Sequence, residues 1–139
     1  MPVLTKEFYL ETEGETHIIN ITDYVQRIIK DCGLKDGIVC LFVPGSTGAL
    51  TTIEYEPGLL KDLPRALEKI APREAYYEHE KMWHDGNGHS HVRASIIGPC
   101  LTIPFVNGNL TLGTWQQIVF LELDVRARRR RIIVQIVGD

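Results

Sequence analysis

Cysteine is scarce in this 139-residue chain, three in all. Cys32, Cys40 and Cys100 are too widely spaced and too odd in number to frame a small disulfide-built domain. Each sits among apolar residues and reads as a small buried core side chain in a reducing compartment. Long apolar runs are missing too: nothing approaches the roughly 20 residues of a bilayer span, and Met1–Glu7 has no apolar core behind a basic start. The expectation is a cytoplasmic protein with no membrane partner. An excess of one charge is also lacking. The net charge is −3 and the pI about 5.9, a balance that favours neither nucleic acid nor an anionic surface. The one basic run, Arg126 with Arg128–Arg131, leads into Ile132–Val137 and reads as the solvated entrance to a strand.

What is present is enough apolar residue, 44% of the chain, for one core and so for a single domain over residues 1–139. The runs 3–10 and 16–21 flank Glu11–Glu15 and read as a hairpin with a charged turn. Ile21, Tyr24, Val25, Ile28, Ile29 and Cys32 recur at helical spacing, with capping types at Asn20, Thr22 and Asp23 and a stop at Gly33. Ile38–Val43 has no polar interruption, as expected of a central strand buried on both faces. Pro57 opens a second helix with Leu60, Leu63, Leu67 and Ile70 on one face, ending before Pro72. Pro64 either kinks it or lets a new helix begin with Asp62 as cap. The remainder reads as strands at 89–97, 99–106, 109–123 and 130–137, with Asn107–Gly108 as a hairpin turn. This order predicts an α+β domain: a mostly antiparallel or mixed β-sheet with two main helices packed on it. Gln135 within the last apolar run, and the strand surface two helices must cover, point to a homo-oligomer.

Chemistry is concentrated in Trp83–His91, which holds three histidines, an aspartate and two glycines. On an extended 89–97, His89 and His91 share a face, and the Gly86–Asn87–Gly88 turn lets His84 and Asp85 fold back on them. That arrangement suits a divalent metal on His84, His89 and His91, with Asp85 completing or orienting the shell and His79 as a further nitrogen. It equally suits a general acid/base pair without metal, or a polar turn facing solvent. No strict zinc signature is matched. A second constellation, Pro44–Gly48, puts glycines and hydroxyls after the apolar strand, as in loops that aim N–H groups at anions, or in a plain glycine turn. It lacks the lysine of a nucleotide-hydrolysing loop.

Gly88–His89–Ser90–His91–Val92–Arg93–Ala94–Ser95, then Gly98–Pro99, Leu101–Pro104, Gly108, Leu112–Gly113–Thr114–Trp115–Gln116–Gln117–Ile118, Arg131 and Val134–Gly138 closely resemble the YjbQ-like family over essentially the whole chain. The resemblance implies a small α+β homotrimer described as a secondary thiamine-phosphate synthase. Such an enzyme, a transferase, weakly joins hydroxymethylpyrimidine diphosphate to thiazole phosphate with release of pyrophosphate. In this chain, Ser46, Thr47 and the amides of Gly45 and Gly48 would hold phosphate, with Arg93 and Lys81 neutralising it. His84, Asp85, His89 and His91 would hold zinc or magnesium or move protons, and Trp115, a residue type more often found in cores, and Gln116 would face an aromatic ring. One departure stands out: many members carry His-Thr-Thr-Ala where this chain has Gly45–Ser46–Thr47–Gly48–Ala49. The role of that first histidine is absent here or passes to another, such as His84. A metal-dependent hydrolase of a small phosphorylated substrate and a non-catalytic trimer binding metal or a small ligand are the competing readings.

Overall fold

A computed structural model describes residues 1–139. The elements run β1 (Val3–Glu11), β2 (His17–Asn20), α1 (Thr22–Cys32), β3 (Gly37–Phe42), β4 (Gly48–Glu54) and α2 (Pro57–Ile70). They continue through α3 (His79–Trp83), α4 (Gly88–Ile97), β5 (Cys100–Val106), β6 (Asn109–Leu110), β7 (Gln116–Glu122) and β8 (Arg129–Gly138). The α+β class is as expected, and every strand pairing is antiparallel. The sheet, however, is divided in two: five strands in the order β1-β8-β3-β5-β6 and three in the order β2-β7-β4. Four helices are present, where two were expected.

The division follows from burial. Val39, Leu41, Ile103, Phe105, Ile132, Val134 and Ile136 of the large sheet meet Leu50, Ile118 and Phe120 of the small one, with Ile21, Val25 and Ile29 beside them. On the other side of the small sheet, Ile18, Ala49, Val119 and Leu121 pack on Leu67 of α2 and Ala94 of α4. The strand buried on both faces is therefore β7, not β3. In β3, Val39 and Leu41 are buried while Ile38 and Phe42 are 46% and 41% exposed, because no element covers the outer face of the large sheet. For the same reason Cys40 and Cys100 are not core residues, being half-buried and exposed, while Cys32 is half-buried at the end of α1 against the core. Cys40 and Cys100 lie on that outer face with sulfurs 3.5 Å apart.

Local signals explain the elements that match. Asn20 Oδ1 accepts from the Thr22 N–H and hydroxyl at the start of α1, and Gly33 closes it in the left-handed region at φ 77°. Asn107 and Gly108, at φ 52° and 74°, make the tight turn between β5 and β6, which requires positive φ at both positions. Glu56 caps α2 by accepting from the N–H groups of Gly58 and Leu59. That helix runs through Pro64 without a second start at Asp62, held by Leu60, Leu63 and Leu67 against the small sheet.

Three expectations are corrected. The runs 3–10 and 16–21 form no hairpin, since β1 pairs with β8 and β2 with β7. The single strand over 109–123 is two, β6 and β7, and β4 was not anticipated. Residues 89–97 are not a strand but most of α4. Its buried positions, 88, 89, 90, 93 and 94, follow a helical period, and Ala94 and Ile97 dock it on the small sheet.

Candidate active site

A helix sets residues two apart about 200° apart around its axis, so His89 and His91 leave α4 on opposite sides rather than sharing a face. His89 is buried, with a side chain only 1% exposed, and its Nε2 lies 2.6 Å from Glu15 Oε2. One turn later Arg93 follows it into the same network. Its Nε donates to the Ala71 carbonyl, its Nη2 donates to Glu68 Oε2 at 2.6 Å, and its Nη1 lies 3.9 Å from Glu15. Glu68 is held below the usual carboxylate range, first by the Arg73 N–H and, against burial, by Arg93. On this side of α4 His89 and Arg93 each have a partner within the network.

His91 meets a different environment. Its ring tilts over that of His79 with centroids 4.5 Å apart, and no hydrogen bond reaches it. Burial, and then the neighbouring His79, lower its pKa against the pull of Asp85, Asp124 and Glu80. The imidazole is thus neutral at neutral pH, with a lone pair to offer.

Around His79 the acceptors converge. Its Nε2 is 3.3 Å from Asp85 Oδ1, and single donor atoms of His79, Glu80 and Asp85 lie within 4.8 Å of one another. Glu80 also shapes the turn, its carboxylate accepting from the N–H groups of Gly86 and Gly88. Asn87 is wedged between this group and Asp124. With Oδ1 at 3.0 Å from His79 Nε2, its Nδ2 donates to Asp124 Oδ1. With the amide reversed, the nitrogen donates to Asp85 at 2.7 Å and to His79 at 3.0 Å. The first orientation gathers three acceptors, as a cation requires; the second satisfies them without one. An imidazole, two carboxylates and an amide oxygen form a donor set that fits zinc or a harder divalent ion.

Asp124 ties this cluster to the loop Pro44–Gly48. Its Oδ2 accepts from Thr47 Oγ1 at 3.1 Å. Burial raises its pKa, but hydrogen bonds from Val125 N–H, Thr47 and Asn87 and the charge of Arg128 together hold it below its ordinary value. Beneath the loop, Arg130 and the fully buried Glu122 form an ion pair. Gly45, Ser46 and Gly48 line a cavity of about 130 Å³ with Ala94, Ser95 and Pro99. Ser95 is four residues beyond His91, one turn along the same side of α4, and Thr47 is joined to Asn87 through Asp124, so the His79–His91 cluster and the loop are neighbours along α4.

The anticipated residues therefore divide. Asp85 and His91 lie beside His79, and Gly45, Ser46 and Gly48 line the neighbouring cavity. Thr47 is buried and bonded to Asp124. His89 and Arg93 belong to the opposite network, and His84 caps α3 as an exposed residue. The three imidazoles His84, His89 and His91 are not brought together as one metal shell, because α4 is helical. Lys81 is exposed beside Glu78. Trp115 is not a core residue; it is 72% exposed. Gln116 pairs with Glu54 while Glu122 pairs with Gly48, which places Trp115 and Gln116 about 20 Å from the loop along β7. Sequence reasoning missed Glu80, Asn87, Asp124 and Arg130 as site residues. One signal was available: Glu122 and Asp124 end an apolar run, and carboxylates in so buried a strand need partners.

The model of the family described as UPF0047 protein YjbQ-like matches residues 6–139. The chain belongs to this family. A UPF0047 protein of Methanothermobacter thermautotrophicus is 40% identical over 138 residues, covering 99% of this chain and 94% of that one. One from Archaeoglobus fulgidus is 40% identical over 129 residues, covering 93% and 98%. Among solved structures, a YbjQ-like protein of unknown function from Sulfolobus solfataricus P2 superposes with a TM-score of 0.94 at 33% identity, covering 99% of each chain. The YjbQ-like fold is thus shared along the whole chain, and no helix in it is long and apolar enough to cross a membrane.

Proposed function

We propose that this YjbQ-like chain is a divalent-cation-dependent enzyme acting on a small phosphorylated substrate in the groove between α4 and the loop Pro44–Gly48. The observation that carries this reading is the juxtaposition, on one side of one helix, of an acceptor cluster fit for a cation and a loop fit for an anion. His79, Asp85, Asn87 and Glu80 would hold the ion, which when bound offsets charge developing on a departing phosphate group. His91, held neutral, faces the groove as a lone-pair donor for the ion or a substrate proton. Gly45, Ser46 and Gly48 receive the phosphate.

The reaction implied by the family resemblance is of this type. The bond from the pyrimidine methylene to diphosphate breaks, the thiazole nitrogen bonds to that carbon, and pyrophosphate leaves. Its demands are leaving-group stabilisation and alignment, which this groove supports. The test is turnover of hydroxymethylpyrimidine diphosphate and thiazole phosphate with added magnesium or zinc. Thiamine phosphate formed by wild type and lost in His79→Ala supports the assignment. Phosphate release from other small esters without coupling makes the chain a hydrolase, and neither product leaves a binding protein.

We further propose that the chain works as a homotrimer. The uncovered face of the large sheet supports association: Val3, Val137 and Ile38 lie in one row and Ile133 and Phe42 in another. Burying that face follows from the hydrophobic effect. Light scattering on the 15.8 kDa chain should give three times that mass, and a monomer at micromolar concentration contradicts it.

A further inference from the structure

Arg130 is 5% exposed, and its donors are unevenly used. Nε and Nη2 hold the two oxygens of Glu122, and Nη2 also donates to Thr47 Oγ1 at 2.8 Å. Nη1 donates to nothing in the chain. Glu122, by contrast, is over-supplied: Thr12 Oγ1 donates to it at 2.7 Å and the Asp124 N–H at 3.1 Å. Its negative charge is shared among four donors, so the guanidinium is not fully neutralised by its partner.

Nη1 lies behind Gly45, 3.0 Å from where a Cβ on that residue would stand, and a Cβ on Gly48 would stand 3.6 Å from Arg130 Cζ. Glycine at both positions keeps the space beside the guanidinium free of a side chain. The peptide N–H groups of Gly45, Ser46 and Thr47 likewise take no acceptor. The nearby backbone bonds come instead from Val43 to the Pro99 carbonyl and from Leu50 to that of Gly98. Gly45 and Ser46 line the cavity of about 130 Å³, whose lining holds no carboxylate, and with the next N–H and the guanidinium N–H behind Gly45 they are donors to which the chain supplies no acceptor. Runs of N–H groups of this kind bind anions. Arg93, the arginine that strand alternation favours for the task, donates through Nε to Ala71 and through Nη2 to Glu68, with Nη1 3.9 Å from the Glu15 carboxylate, on the other side of α4.

We infer that Arg130, through Nη1, and the N–H groups of Gly45–Thr47 form a site for one tetrahedral oxyanion, the phosphoryl group of the substrate, and that Arg130 sets the preference for it. The inference rests on the reading that the groove takes a phosphorylated substrate, and it assigns the group that recognises the phosphate.

The test is a calorimetric titration of inorganic phosphate into metal-free protein, comparing wild type with Gly45→Ala, Arg130→Lys, Arg93→Lys and His79→Ala. Gly45→Ala is the decisive variant: it leaves the Arg130–Glu122 pair in place, needs no unusual backbone angle and sets a methyl before Nη1. Loss of a charge-assisted hydrogen bond predicts a weakening of about tenfold or more in Gly45→Ala and Arg130→Lys, with Arg93→Lys and His79→Ala unchanged. Unaltered phosphate affinity in Gly45→Ala, loss in Arg93→Lys alone, or no binding by wild type at millimolar phosphate overturns the inference. Phosphate binding that persists while no cation binds at His79 upholds this site and removes the cation-dependent reading; cation binding without phosphate binding does the reverse.

Discussion

His89 and His91 stand two residues apart on one helix and have opposite surroundings. His89 is buried against the Glu15 carboxylate at 2.6 Å, in a network that Arg93 and Glu68 complete. The His91 ring has no hydrogen-bond partner, tilts over His79 and has its pKa lowered, chiefly by burial. A motif of two histidines need not be one site. The difference between them lies in what the rest of the fold has already satisfied: a paired, enclosed imidazole holds structure, whereas an unpaired one among surplus acceptors is available for chemistry.

The largest effect should come from the closed side. Glu15→Ala leaves His89 and Arg93 short of a carboxylate in a buried setting, and breaking such a pair costs about 3 kcal/mol. Urea unfolding should show that loss, with cation affinity unchanged in the folded protein; a cation affinity that falls with it merges the two sides and breaks the comparison. The open side should behave in the opposite way. His79→Ala or Asp85→Asn is expected to move stability by no more than about 0.5 kcal/mol while weakening zinc or manganese binding by about tenfold or more, read by calorimetry.

The smallest effect is on acid stability. Asp124 and Glu68 both have folded pKa values lowered from their ordinary 3.8 and 4.5. Each contributes stability that is fully present above those values and lost as pH falls through the lowered folded pKa. Asp124→Asn on the open side and Glu68→Gln on the closed side should each flatten the fall in unfolding free energy below about pH 4. Unchanged slopes in both variants contradict the assigned shifts.

How much of this was legible depended on whether the deciding interaction is local. The start and stop of α1, the Asn107–Gly108 turn and the apolar run of β8 are set within a few residues, and the sequence reading found them. α4 was misread because His-Ser-His imitates strand alternation, while the positions that fix it as a helix, Ala94 and Ile97, matter only through the small sheet beneath. The partners of β1 and β2 were hidden for a similar reason. A charged five-residue link between two apolar runs looks like a hairpin, yet each run pairs with a strand more than 90 residues away. Nor could apolar context tell Cys40 on an uncovered sheet face from a core cysteine. In the site, Asp85, His91 and the glycines of residues 45–48 announced themselves by type and density. Asn87, Asp124 and Arg130 did not, because their roles arise only where the ends of β7 and β8 meet the loop before β4.

The central claim is that the cation-binding chemistry of this chain is centred on His79 and not on the His89 side of α4. The most direct measurement is a crystal structure of untagged protein grown with manganese or zinc, with anomalous scattering recorded at the metal edge. The account predicts an anomalous peak within bonding distance of His79 Nε2 and an Asp85 or Glu80 oxygen, with the Asn87 amide oxygen turned toward it. A peak at His84 or His89 instead, or none beside His79 at saturating metal, contradicts it.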